Sequence, residues 1–177
     1  MDRTNKIGVI GLGYVGFPLA VEFSKIYNTV GYDIDSIRVS EIREGIDKTC
    51  EISSKNIKQA KNLLVTDAAV NLAGLDYYII TVPTPIDSNK NPDLKYLRDA
   101  SELVGSYISK GNTVVFECTV FPGCTEEVCM PIIEHTSGLK YNKDFFIGYS
   151  PERINPGDKK HTLKNIVKVV SGSNNIA

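Results

Sequence analysis

Short apolar runs recur along this chain, separated by stretches whose apolar residues fall three or four positions apart. Ile7, Val9 and Ile10 begin the series. Thr29–Asp33, Leu63–Thr66, Tyr77–Val82, Thr113–Glu117, Phe145–Tyr149 and Ile166–Val170 continue it. Runs of this length between turn residues predict seven strands, most of them buried. The intervening segments predict helices. Phe17–Ile26 carries Leu19, Val21, Phe23 and Ile26 on a broad face, and Leu94–Ser109 carries Leu97, Ala100, Leu103, Val104 and Ile108 along one side. Pro18 falls in the first turn of its helix, where its missing N–H costs nothing. Asp35 is placed to cap Ser36–Arg43, which Gly45 ends. The polar stretch 46–62 reads as a surface excursion with one helix, and 67–72 as a single helical turn. Thr125–Glu134 is expected to be a helix kinked at Pro131, with Gly138 beyond its end. Strands alternating with helices throughout predict an α/β fold: a Rossmann-like, doubly wound and mostly parallel sheet flanked by helices, one domain over 1–177.

Length and charge narrow the function. At 177 residues the chain holds one well-cored domain rather than two. Lys+Arg of 20 against Asp+Glu of 21 argues against a nucleic-acid partner bound through bulk charge, so an anionic ligand must be held by local devices. The apolar runs are too short to span a membrane, and the N-terminus lacks the apolar core of a signal peptide; residence in the cytosol is expected. Cys50, Cys118, Cys124 and Cys129 show no CxxC spacing and have only two histidines as companions, so they read as reduced thiols and no metal is expected. The last strand is followed by no closing helix, and the chain reads as a piece of a longer one.

The chemistry starts at Gly11-Leu-Gly13-Tyr14-Val15-Gly16, between the first strand and first helix. Gly11 permits the sharp turn, Gly13 lets a diphosphate approach the backbone, and Gly16 lets helix and strand pack closely. The helix N-terminus then faces an anion. Asp33 ends the second strand about 20 residues on, the place of the acid that accepts both ribose hydroxyls of an adenosine. A carboxylate there repels a 2′-phosphate, which favours NAD over NADP. Arg38 stands close by: it is placed to meet a phosphate, stack on adenine or pair with the diphosphate, and equally to be a solvated helix residue.

Ligands of doubly wound folds bind beyond the carboxyl ends of the strands. The loops expected there are 11–16, 33–38, Pro83-Thr84-Pro85, Cys118–Gly123 and Ser150–Gly157. Thr84 and Thr119 offer uncharged hydrogen bonds to ribose, amide or water. Glu152, fixed by Pro151, is placed either as a general base or water-holder beside a nicotinamide, or as the structural partner of Arg153.

Taken together, Gly11–Gly16, Val82-Pro-Thr-Pro85, Glu117-Cys-Thr-Val-Phe-Pro-Gly123 and Ser150-Pro-Glu-Arg153 resemble the NAD-binding domain of the UDP-glucose/GDP-mannose dehydrogenase family. The run Tyr149–His161 is similar to the branch acting on UDP-N-acetylhexosamines for capsular polysaccharides, and Pro156 stands where the UDP-glucose branch has a second glutamate. The resemblance implies a four-electron oxidation of a sugar C6 alcohol to a carboxylate. Two NAD are reduced in turn, and a cysteine carries the sugar as a thiohemiacetal and then a thioester. That cysteine, its lysine and asparagine helpers and the dimer helix belong to later domains of the family, so this chain alone is expected to be inactive and the complete protein a homodimer or higher. Cys118 matches a position where the family carries small residues. Two competing readings are a nucleotide-binding module without chemistry and a Rossmann oxidoreductase of the 6-phosphogluconate or 3-hydroxyacid type.

Overall fold

The computed structural model describes residues 4–153 and 165–175. Seven strands form one sheet: β1 (Lys6–Ile10), β2 (Asn28–Tyr32), β3 (Leu63–Thr66), β4 (Tyr77–Ile80), β5 (Thr113–Phe116), β6 (Phe146–Tyr149) and β7 (Ser171–Gly172). Their order is β3-β2-β1-β4-β5-β6-β7. β1 to β6 run parallel and β7 returns antiparallel to β6. The order reverses between β1 and β4, so the carboxyl ends of these two strands flank the crevice where such sheets take a ligand.

The central strands bury both faces, as a parallel sheet requires, while the edge strands β3 and β7 are partly or wholly exposed. Ile10, Tyr78, Ile80, Val114 and Phe116 meet α4 (Lys95–Gly105) and α5 (Met130–Ser137) on one side. Ile7, Val9, Ile79 and Val65 meet α1 (Gly16–Phe23) and α2 (Ser36–Arg43) on the other. Phe17, Ile80, Leu97 and Phe116 are fully buried, and each such side chain contributes about 1.5–3 kcal/mol relative to exposure. Gly105 allows α4 and α5 to approach, since an added Cβ would lie 2.9 Å from Thr136 Cβ.

The local signals act as expected around α2: Asp35 Oδ1 accepts from Ile37 N at 2.9 Å, and Gly45 leaves the helix at φ +84°. A short α3 (Ser54–Gln59), capped by Ser53, lies in the polar excursion. Two expectations fail. Residues 167–170 form no strand; the pairing falls later, at β7, and antiparallel. Nor is Thr125–Glu134 one α-helix around Pro131. That proline is the second residue of α5, preceded by a wider π turn over Thr125–Cys129 in which Met130 N donates to Thr125 O. A proline lacks the N–H for an α bond to the carbonyl four residues back and its ring clashes there; inserting one residue by a π turn relieves both. The first and fourth helices are also shorter than their apolar patterns suggest, ending at Phe23 and Gly105. Part of the fifth cleft loop, 154–157, lies outside the described residues, as does most of the Tyr149–His161 run.

Candidate functional site

The glycine-rich turn sits at the end of β1, and its three glycines have different physical reasons. Gly11 has φ +95°, in the left-handed region. A Cβ on Gly16 would overlap the Gly11 carbonyl oxygen and the Thr81 hydroxyl, so only hydrogen fits. A Cβ on Gly13 would meet nothing within 4 Å, and its φ is not positive. The described residues give no reason for a glycine there. The open space lies beside the start of α1, whose N-terminus no side chain among the described residues caps. Tyr14 is exposed and Val15 buried, so the backbone of the turn rather than its side chains lines this end.

Asp33 follows β2 and holds the turn. Its Oδ2 accepts from Leu12 N at 2.6 Å and its Oδ1 from Asp35 N at 3.0 Å. A carboxylate has about four acceptor sites, so two remain after these bonds. Arg38 is not a solvated helix residue, for its side chain is only 11% exposed. Its Nε donates to Leu12 O at 2.8 Å, its Nη2 to Asp47 Oδ1 at 2.7 Å, and its guanidinium carbon lies 5.2 Å from the Phe17 ring centroid. Nη1 is buried with no hydrogen-bond partner among the described residues.

Beyond β4 and β5 the two threonines meet: Thr84 Oγ1 donates to Thr119 O at 2.6 Å. The bond ties the Pro-Thr-Pro loop to the loop after β5. Thr119 is exposed at this edge and Thr84 half-buried. Glu152 follows β6, with Oε1 accepting the backbone N–H of Arg153 at 2.7 Å. Ser150, 1% exposed, anchors that loop by donating its N–H to Phe116 O at 3.0 Å.

Three residues to which the sequence assigned no role at this site shape it. Thr81, buried at the end of β4, donates its hydroxyl to the Gly11 and Ile10 carbonyls at 2.7 and 3.0 Å, closing the turn across the switch point. Asp47 is the buried anchor of Arg38. Glu117, buried at the end of β5, takes an ion pair from Lys168 that fastens the returning segment. A threonine before Val-Pro and an aspartate in a polar stretch carry no local signal, because their partners are distant in sequence.

Three of the four thiols are unsuited to nucleophilic work. Cys118, Cys124 and Cys129 are buried. Burial pushes all three thiols up, Cys129 to about 12. Cys118 donates to Ile80 O at 3.2 Å, within the sheet.

The sheet order, the turn and the acid after β2 define a dinucleotide-binding α/β domain. The chain belongs to the UDP-glucose/GDP-mannose dehydrogenase family and matches its NAD binding domain over residues 5–177. It is 53% identical over 168 residues to UDP-N-acetyl-D-glucosamine 6-dehydrogenase of Pseudomonas aeruginosa, covering 95% of this chain and 40% of that protein. It is 52% identical to the enzyme of the same name from Salmonella typhi, with the same coverage. Among solved structures, an NDP-N-acetyl-D-galactosaminuronic acid dehydrogenase from Methanosarcina mazei superposes with TM-score 0.88 at 30% identity, covering 98% of this chain and 40% of that one. The chain thus spans about two fifths of the length of the relatives it matches. No helix among the described residues is long and apolar enough to cross a membrane.

Proposed function

We propose that this chain is the cofactor-binding part of an NAD-dependent UDP-N-acetylhexosamine 6-dehydrogenase. The complete protein, a cytosolic homodimer or higher oligomer, would take UDP-N-acetylglucosamine or UDP-N-acetylgalactosamine to the uronate for surface polysaccharides. The observation that carries the cofactor half is Gly13: no atom of the described residues requires a glycine there, and the space its hydrogen leaves open adjoins a helix N-terminus that none of their side chains caps. The backbone of Tyr14, Val15 and Gly16 takes the diphosphate. Asp33, with its remaining acceptor sites, takes the adenosine ribose hydroxyls. Thr84 and Thr119 hold the nicotinamide end. NAD, when bound, accepts a hydride in each of the two oxidations. Glu152, at the same edge, holds or deprotonates the water that releases the product.

The substrate class is supported by the relatives at 53% and 52% identity and by Pro156, where the UDP-glucose branch carries glutamate. The thiol that carries the sugar falls in the remaining three fifths of the protein. Two measurements test the reading. Calorimetry on the 177-residue chain should show NAD binding, with NADP at least tenfold weaker because Asp33 opposes a 2′-phosphate, about 4 kcal/mol at 4 Å in a half-screened site; equal or tighter NADP binding refutes it. In the complete protein, Glu152→Gln should slow turnover about 10²–10⁴-fold and accumulate a covalent sugar adduct by mass spectrometry, whereas near-normal turnover without adduct makes Glu152 structural.

A further inference from the structure

Asp47 lies outside every loop of the cleft, in the polar stretch after α2, yet its side chain is 1% exposed. Its Oδ1 accepts from Thr49 N at 3.1 Å, Thr49 Oγ1 at 2.8 Å and Arg38 Nη2 at 2.7 Å. Its Oδ2 accepts from Glu51 N at 3.0 Å and Ile52 N at 2.9 Å. Burial by itself pushes this carboxyl up, but the hydrogen bonds from Ile52, Thr49 and Arg38 outweigh it and hold the group below the ordinary aspartate value. It is a fixed anion, and the loop 47–52 is folded around it.

That anion reaches the cofactor turn through two further residues. Asp47 holds Arg38, Arg38 Nε holds the Leu12 carbonyl at 2.8 Å, and Leu12 N–H is held by Asp33 at 2.6 Å. Leu12 stands between Gly11 and Gly13, so its peptide groups are gripped on both sides and set where the turn presents its backbone. The same contacts occupy the guanidinium. Nε and Nη2 are both spent inside the protein, while a free guanidinium is a bidentate ligand for phosphate.

We propose that Asp47 is a positioning and specificity-determining residue for the dinucleotide. It turns Arg38 onto Leu12, which fixes the glycine-rich turn and withholds the guanidinium from the 2′ position of the adenosine ribose. This rests on the NAD reading above and goes beyond it, since it places part of the NAD preference on a residue that never touches the ligand.

Calorimetry with NAD and NADP on the wild-type chain, Asp47→Asn, Arg38→Met and the double variant tests it. Losing one charge-assisted hydrogen bond is worth about tenfold in affinity. Asp47→Asn should therefore weaken NAD about tenfold and move the NADP-to-NAD preference about tenfold towards NADP. Arg38→Met, which keeps the apolar stem over Phe17, should weaken NAD similarly without gaining NADP. In the double variant Asp47→Asn should add nothing to the NAD effect, because its influence runs through Arg38. Thr49→Val removes one hydrogen bond from Asp47 and leaves the Arg38 pair; it should lower Tm with both affinities within twofold. An unchanged preference in Asp47→Asn, or additive effects in the double variant, overturns the proposal and leaves Asp47 as a loop closure. If Asp47→Asn does not fold by circular dichroism, Arg38→Met and Thr49→Val decide: a tenfold NAD loss in the first alone supports the proposal, and equal losses in both overturn it. A wild-type chain that does not bind NAD sinks the cofactor reading itself and this proposal with it, a result separate from a null Asp47→Asn beside a normal wild type.

Discussion

Gly13→Ala separates what the fold needs from what the ligand needs. A Cβ at this position meets no atom within 4 Å, and the backbone is not in the left-handed region. Alanine therefore costs the folded state nothing, while it removes conformational freedom from the unfolded chain, a gain of about 0.4–1 kcal/mol. In a domain of this size that raises Tm by roughly 1–4 °C. The same methyl group fills the open space beside the α1 N-terminus, where the proposed function brings the diphosphate to the backbone. Displacing it by even one charge-assisted hydrogen bond loses about 1.5–3 kcal/mol, or roughly 10- to 150-fold in Kd. Stability and affinity should thus move in opposite directions, a combination that general damage to the fold does not produce. Thermal unfolding by circular dichroism and NAD calorimetry on the same preparation read both. A fall in Tm would show that Gly13 serves packing, and unchanged NAD affinity would show that the diphosphate lies elsewhere.

Gly16→Ala should do the reverse, losing about 1–3 kcal/mol or more to overlap with the Gly11 carbonyl and Thr81 hydroxyl; a denaturation midpoint equal to wild type would contradict the close approach of α1. Alkylation of the native chain at pH 8 should label the exposed Cys50 alone, with Cys118, Cys124 and Cys129 reacting only after unfolding, because burial both hides these thiols and keeps them protonated. Rapid native labelling of Cys118, or sustained NADH production by this chain with UDP-N-acetylglucosamine, would reopen it as a nucleophile. Asp47 has a folded-state pKa below its unfolded value near 3.9, so the unfolded chain binds the extra proton in acid. Its contribution to stability is complete above that unfolded value and is lost as the pH falls through the folded one. Urea midpoints between pH 5 and 2 should therefore fall less steeply in Asp47→Asn than in the wild type, and parallel profiles would remove Asp47 from the acid response.

The sheet was legible because its signals are local and repeated. Each apolar run is short, bounded by turn residues and followed by a helix period, so six strands and the order of elements follow from spacing alone. The cap at Asp35 and the stop at Gly45 were legible for the same reason, since each acts within a few residues. Val167, Val169 and Val170 misled because a β-branched run reads as a strand wherever it stands; here Lys168 turns inward to Glu117 while the three valines stay exposed, and pairing begins only at Ser171. The π turn before Pro131 was not legible because it leaves the helical apolar pattern largely intact. Arg38 was visible as a residue near the acid, but which way its guanidinium turns depends on Asp47, whose buried state no local pattern announces.

The proposed function divides the cleft into an adenosine end and a nicotinamide end, and the two are built from chain segments of different reach. The adenosine end closes within one stretch: β1, the turn, α1, β2, α2 and the loop to Ile52 contain Leu12, Asp33, Arg38 and Asp47, and every hydrogen bond joining them lies inside it. Ordering such a unit costs little loop closure, and its geometry is over-determined, since Leu12 is held on both sides and Asp47 by every oxygen. The nicotinamide end is assembled from Thr84, Thr119, Glu117 with Lys168 and the loop after Ser150, segments tens of residues apart joined by single contacts. An end fixed by many short-range bonds is pre-organised for its ligand, whereas one assembled from distant loops is held by fewer bonds. NAD affinity should therefore respond to substitutions anywhere along the Asp47-to-Asp33 chain of contacts.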